Sequence, residues 1–164
     1  MTAMSRAPAD DFESFYRAEA DRLYRALAVT LGDPHLARDA ADEAMARAYA
    51  HWGRVRSHDN PGGWAFRVGL NWATSWWRKV RRERPLPSTD TATGIKEGPD
   101  THAGALAALR TLPLPQRAVI VCRVLLDLST VETAAVLGVA EGTVKSRMAR
   151  GLAELRQALG EERA

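Results

Sequence analysis

Cysteine is nearly absent from this chain. Its 164 residues hold only Cys122, which rules out an internal disulfide and a cysteine metal site. Cys122 falls in an apolar stretch with helical spacing, where a small core hydrophobe is expected rather than a redox switch. No apolar run approaches the roughly 18 residues of a membrane span, and no secretory signal is recognisable. A soluble, cytoplasmic protein is therefore expected. Long β-branched alternation is missing too, which argues against the sheet classes. Neither a nucleophile–base set nor a phosphate-cradling glycine loop occurs, so enzymatic activity is not expected.

Alanine, leucine and arginine dominate, and the fold class expected is all-α. Hydrophobic content of 46% and charged content of 26% are globular values. The formal net charge is only +3, so the distribution of charge matters more than its sum. Residues 64–84 carry six basic side chains against Glu83 alone, a local +5. From residue 85 onward, nine basic residues balance nine acidic ones.

The most informative stretch is Leu128 to Leu159. Ser129 and Glu132 fit S-x-x-E, in which each side chain satisfies a backbone N–H of the other. A short helix follows and runs into Gly138, where glycine suits a sharp turn with positive φ. Val139 can plug the angle between two helices, and Glu141-Gly142-Thr143 opens the second. On a helical wheel Val144, Met148, Leu152, Leu155 and Leu159 share one stripe. Thr143, Ser146, Arg147 and Arg150 lie opposite, with Lys145 at the edge. Arginine forks read guanine edges in the major groove, and hydroxyls and lysine hold phosphates. An ordinary amphipathic surface helix would show the same periodicity.

Three helices are expected in the first half. One begins near Asp11 after a loose tail of residues 1–10 and ends at Gly32. Asp33-Pro34 then supplies an N-cap and a first helical residue. The second helix, about His35 to Trp52, gathers Ala37, Ala41, Ala44, Met45, Ala48 and Trp52 on one face, and small alanines allow close helix packing. Its other face carries Asp39, Asp42, Glu43 and Arg47. With His35 these acids could hold a metal, but the composition is that of a solvated face, and no cofactor is expected. Gly53 to Asp59 reads as a polar loop, and Asn60-Pro61 repeats the capping signature.

The third helix, to about Arg84, gathers Phe66, Leu70, Ala73, Trp77 and Val80 in one stripe. Trp64, Arg67, Asn71, Ser75, Arg78 and Arg82 lie opposite, and Lys79 adds to the basic run. Trp72 and Trp76 occupy a flank. Exposed indoles beside arginines suit single-stranded DNA, since ring faces stack bases and arginines track phosphates. Packing beneath a neighbouring helix is the other reading of both tryptophans. Residues 85–102, rich in Pro, Gly, Ser, Thr and Asp, read as a flexible linker. This gives a division into a tail (1–10), an N-terminal domain (11–84), a linker (85–102) and a C-terminal domain (103–164).

Leu112-Pro113-Leu114-Pro115-Gln116-Arg117, Leu128-Ser129, Ala134-x-x-Leu137-Gly138-Val139 and Gly142-Thr143-Val144-Lys145-Ser146-Arg147 together resemble the C-terminal promoter-binding domain of bacterial sigma factors. The similarity is to the small two-domain extracytoplasmic-function (ECF) branch of the sigma-70 family. In the first half, Asp39, Glu43 and Arg47 match the family's D-x-x-x-E-x-x-x-R pattern. Trp64-x-x-Arg67 and Asn71 match its W-x-x-R-x-x-x-N run. Departures are Asp42 for a glutamine, Tyr49 for a tryptophan, Thr130 and Val131 for an aromatic with acidic neighbours, and Thr133 for a core aliphatic.

The resemblance implies a transcription initiation factor with two partners, core RNA polymerase and promoter DNA, and commonly an anti-sigma factor as a third. It implies that Asp39, Asp42, Glu43 and Arg47 dock on the polymerase clamp. Asn60, Trp64, Arg67, Asn71, Trp72, Ser75, Arg78, Lys79 and Arg82 would capture the melted minus-ten strand, with a flipped base near Ser57 to Asn60. Thr143, Lys145, Ser146, Arg147 and Arg150 would enter the minus-thirty-five major groove. A stand-alone helix-turn-helix regulator is the alternative. A third possibility is an adaptor that binds polymerase or an inhibitor without reading DNA.

Overall fold

The computed structural model describes residues 8–83 and 102–161. Among them the chain forms eight helices and no strand: α1 (Pro8–Leu31), α2 (Pro34–Ala50), α3 (Trp52–Val55), α4 (Pro61–Glu83), α5 (His102–Thr111), α6 (Leu114–Val124), α7 (Thr130–Leu137) and α8 (Glu141–Glu161). The expected linker, apart from its last residue, and the first seven residues of the expected tail lie outside the described residues.

Helix boundaries follow local chemistry. The Asp33 carboxylate accepts from the His35 and Leu36 N–H groups at 3.0 and 3.1 Å and so starts α2. Asn60 Oδ1 does the same for α4, accepting from Gly63 N–H at 2.8 Å. At α7 the capping box closes in both directions, Glu132 N–H to Ser129 Oγ at 3.0 Å and Ser129 N–H to Glu132 Oε1 at 3.1 Å. Hydrogen bonds to the Glu132 carboxylate hold it below its ordinary range: the Ser129 N–H contributes most, then the Ser129 hydroxyl, then the Asn60 side chain. Gly138 ends α7 with φ 66°, a conformation a Cβ would strain.

Helices α1, α2 and α4 pack as a three-helix bundle. Ala37, Ala40, Ala41, Ala44 and Ala48 are buried along α2, so the neighbouring helices approach closely. At Gly69 of α4 the approach is tight, since a Cβ there would lie 2.9 Å from Leu27 and 3.2 Å from the Ala40 carbonyl oxygen. In the second half, α6, α7 and α8 form the helix-turn-helix, with α5 against α8. Val119, Ala134 and Val144 are its buried centre, with Leu137, Val139 and Met148 packed around them. Val139 thus fills the angle between α7 and α8.

The halves do not stand apart. Ala118, Val121 and Cys122 of α6, with Leu126, Leu128 and Val136, join the same apolar cluster as Leu23, Ala26, Leu27, Phe66 and Leu70. Burial there pushes the Cys122 thiol up to about 12, as expected of a core hydrophobe.

Several expectations are corrected. Helix α1 starts at Pro8, inside the expected tail. Trp52 is buried, as its place on the apolar face of the second helix predicts, but it opens the separate short helix α3, which takes in the first three residues of the expected polar loop and buries Val55 at 1% exposure. The Trp52 ring lies 5.0 Å from that of Phe15 and meets Phe12 edge-on at 5.4 Å. Only the residues after Val55 form the loop. Helix α6 ends at Val124, and Asp127 turns the chain towards α7 in a left-handed conformation with φ 51°. The apolar stripe of α8 is buried only at Val144 and fades to an exposed Leu159. On α4, Phe66, Leu70 and Ala73 are buried while Trp77 and Val80 are half-buried, since the neighbouring helices do not cover its last turns.

Thr133, which replaces the family's aliphatic, is fully buried. Its hydroxyl has no hydrogen-bond partner among the described residues. An unsatisfied buried hydroxyl costs about 1–3 kcal/mol, and valine has the same shape without it. Thr133→Val is therefore expected to stabilise the protein, raising Tm by about 2–8 °C. A thermal melt followed by circular dichroism measures this; an unchanged or lower Tm would mean that the hydroxyl is satisfied in solution.

Candidate nucleic-acid interface

Helix α4 presents one continuous polar face because Phe66, Leu70 and Ala73 anchor the other to α1 and α2. Arg67, Asn71, Ser75, Arg78, Lys79 and Arg82 are all exposed. Ser75, Arg78, Lys79 and Arg82 line a single open groove of about 400 Å³. Three cations around one groove form a track for a phosphate backbone. The flanking tryptophans separate: Trp72 is half-buried against the core, whereas Trp76 is 43% exposed. Of the two indoles that the sequence offers for stacking, Trp76 presents the more open ring and Trp72 is partly covered by the core.

Asn60 and Trp64 lie at the start of α4. Both are half-buried, and the His58 ring tilts towards Trp64 at 6.4 Å between centroids. With Arg67 they line a cavity of about 300 Å³, whose opposite wall is Val131, Glu132, Ala135 and Val136 of α7. Sequence reasoning assigned Glu132 only to the cap. The structure also brings its second carboxylate oxygen to Asn60, whose Nδ2 donates to Glu132 Oε2 at 3.4 Å. These residues are 72 positions apart, and no local pattern links them.

On α8, Lys145, Ser146 and Arg150 are exposed, and Thr143 and Arg147 half-buried. Arg147, one turn after Thr143, lies at the border between the exposed face and the buried Val144. The Ser146 hydroxyl donates to the Thr143 carbonyl oxygen at 3.1 Å. Outward it therefore offers only lone pairs, which suits accepting from a base amino group rather than donating to a phosphate. On α2, Asp39, Asp42 and Arg47 are exposed and Glu43 half-buried. Arg47 Nε donates to Glu43 Oε1 at 2.9 Å, an i, i+4 ion pair within that face. Among the described residues no cluster of three or more histidines, cysteines or acids could hold a metal, and no helix is long and apolar enough to cross a membrane.

Two family models match these two regions. The model "Sigma-70 region 2" covers residues 15–83, the α1–α4 bundle. "Sigma-70, region 4" covers residues 104–155, the helix-turn-helix half. The chain is 34% identical to the RNA polymerase sigma-E factor of Streptomyces coelicolor over 152 residues, spanning 91% of this chain and 86% of that protein. It is 32% identical to the ECF RNA polymerase sigma factor SigM of Mycobacterium tuberculosis over 151 residues, 91% of this chain and 77% of that one. The chain belongs to the ECF branch of the sigma-70 family.

The solved structure of the sigma factor RpoE from Bartonella quintana, in complex with the anti-sigma factor NepR, has the same fold. Its TM-score is 0.79 at 23% identity, covering 92% of this chain and 97% of that one. Sigma factors are non-enzymatic initiation factors, and this one is a polymerase-dependent promoter-recognition factor.

Proposed function

We propose that the two regions work as separate DNA-reading domains joined by the segment between them, and that specific faces carry each contact. The α2 face of Asp39, Asp42, Glu43 and Arg47 docks on core RNA polymerase, where its three acids and one arginine set orientation and on-rate. The start of α4, from Asn60 through Trp64, Arg67 and Asn71, holds a base flipped from the minus-ten strand. Trp72 lends the core side of that surface. Ser75, Arg78, Lys79 and Arg82 hold the phosphates that follow. The minus-thirty-five element is read by Arg147, Thr143 and Ser146, with Lys145 and Arg150 on its backbone. No covalent chemistry is needed, because base capture and phosphate contacts offset the free energy of strand opening. The protein acts in the cytoplasm, where its polymerase is, and an anti-sigma factor is a further partner of this class.

The observation that carries this reading is the groove lined by Ser75, Arg78, Lys79 and Arg82 on the same helix face as Arg67 and Asn71. The test is run-off transcription of fragmented genomic DNA by core polymerase with and without the protein. Discrete new start sites sharing two upstream motifs are expected. Asn71→Ala and Arg78→Ala should each lower open-complex formation about 5- to 150-fold, the range for one lost base or backbone anchor, while holoenzyme assembly is unchanged. If both variants formed open complexes at the wild-type rate, the α4 face would not be the strand-reading surface. Absence of binding to core would favour the stand-alone regulator.

A further inference from the structure

The cavity of about 300 Å³ between the start of α4 and α7 has two apolar walls. Trp64 forms one, and Val131, Ala135 and Val136 form the other. Close packing fixes the second wall, since a Cβ on Gly63 would lie 2.9 Å from Val136 Cγ2. Val131 is one of the departures from the family pattern, an aliphatic where that pattern has an acidic residue. At 61% exposure it adds little to the core, so core packing does not account for its apolar character. An indole facing an aliphatic wall suits a flat ring, and the volume is at the lower end of small-molecule sites.

The polar groups on the lining say which ring. Asn60 Nδ2 donates to Glu132 Oε2 at 3.4 Å, so an amide donor and a carboxylate stand side by side. That bond uses one of the two Nδ2 hydrogens and leaves the other. Glu132 Oε1 accepts from the Ser129 N–H at 3.1 Å, and each carboxylate oxygen keeps a further lone pair. The carboxyl is held below its ordinary range by these bonds, the Ser129 N–H first, and is ionised at neutral pH. The cavity thus offers one donor followed by two charged acceptors. Among the nucleobases guanine carries the complement on one edge: the O6 acceptor, then the N1–H and N2 amine donors. Adenine and cytosine present an amine where O6 would be, and uracil and thymine have a single donor. Asp59 and Glu132 also outnumber Arg67 on the lining, which favours an uncharged ligand over an anion.

We propose that this cavity is a binding site for a free guanine ring. The ring sits between Trp64 and the α7 wall, with O6 on Asn60 Nδ2 and the N1–H and N2 amine on the Glu132 carboxylate. Asn60 and Trp64 also belong to the surface proposed to hold the flipped base, so the free ring competes with that base. The competition, unlike the binding, rests on the proposed role of α4.

Calorimetric titration of guanosine onto the full chain tests the site. Guanosine should bind, and adenosine and cytidine should bind about tenfold more weakly or worse, the factor for one hydrogen bond to a charged group. Glu132→Gln keeps the capping box, which accepts either residue, but exchanges an acceptor for a donor. It should weaken guanosine by about tenfold or more. Val131→Glu places a charge on the apolar wall and should weaken it several-fold. Both variants should keep wild-type helicity. No binding up to the solubility limit of guanosine, equal affinity for adenosine, or unchanged affinity in Glu132→Gln would overturn the proposal. The guanine ring is common to nucleoside and nucleotide, and a GMP arm tells them apart. Weaker binding of GMP assigns the nucleoside; tighter binding assigns the nucleotide, with Arg67 on its phosphate. Either outcome supports the ring site.

A second measurement reads the competition. Open-complex formation is followed without nucleotides, by permanganate reactivity of unpaired thymines. Saturating guanosine should lower it several-fold for the wild type and leave Val131→Glu unaffected. An equal effect on both proteins would place the ligand elsewhere and count against the cavity. Wild-type protein that forms no open complex even without guanosine would instead sink the functional reading, while the titration still decides the site.

Discussion

Phe66→Ala is expected to lower the unfolding free energy by about 3–5 kcal/mol. Phe66 is the largest fully buried side chain among the described residues, at 0% exposure, and it sits where α4 meets α1 and α2. Truncation removes the transfer free energy of the ring and leaves a cavity that this tightly packed bundle cannot collapse. Small side chains already line the surrounding helices, and Gly69, one turn along, is in van der Waals contact with Leu27 and the Ala40 backbone. No backbone is free to move inward. A loss of this size is a large share of the 5–15 kcal/mol that holds a typical domain together. Tm should fall by about 6–20 °C, and transcription should disappear at a temperature where the wild type is active. Arg67→Ala, on the exposed face of the same helix, should leave Tm within about 2 °C. A chemical denaturation series on both variants decides the matter; a Phe66→Ala loss below about 1 kcal/mol would mean that the bundle is more plastic than its packing indicates.

Arg147→Ala is expected to lower binding of the holoenzyme to a duplex carrying the minus-thirty-five element by about 5- to 150-fold. That is the 1–3 kcal/mol range of one bidentate arginine–base pair. Arg147 is half-buried on α8, which the buried Val144 anchors to the rest of the helix-turn-helix, so little ordering cost falls on binding. Arg147→Lys should not rescue, because an ammonium lacks the planar fork. Lys145→Ala and Arg150→Ala should behave differently. Each should weaken binding evenly across sequences and reduce the salt slope by about one unit. Binding titrations at several salt concentrations, on the cognate element and on a scrambled one, separate the two behaviours. If Arg147→Ala weakened both duplexes equally, Arg147 would be a phosphate contact and base reading would lie elsewhere on α8.

Much of this protein could be read residue by residue. The capping pairs Asp33-Pro34, Asn60-Pro61 and Ser129-x-x-Glu132 start helices where they were expected to, because a cap is a local hydrogen bond between neighbours in the chain. Gly138 ends α7 for an equally local reason. The polar face of α4 and the arginine face of α8 were legible because a 3.6-residue period places side chains on one side whatever the helix packs against. The family motifs added partners and roles that periodicity could not supply.

Tertiary structure decided the rest. Val55 stood in an expected polar loop and became part of a buried turn, because it joins Trp52 in a cluster that Phe12 and Phe15 of a distant helix pack against. Trp72 and Trp76 were indistinguishable on the wheel. The packing of α4 sends Trp72 against the core and leaves Trp76 open. Thr133 is left with an orphaned hydroxyl because α7 is buried against neighbours that offer it no acceptor. The docking of α7 on the start of α4 joins residues 72 positions apart, through contacts that carry no periodic or capping signature. Sequence by itself determined the main helices, their capped starts, the turns at Gly32 and Gly138 and the charge on each face, since these depend on near neighbours. Which faces meet depends on shape complementarity between distant segments, and only the folded chain brings Glu132 and Val136 against Asn60 and Gly63.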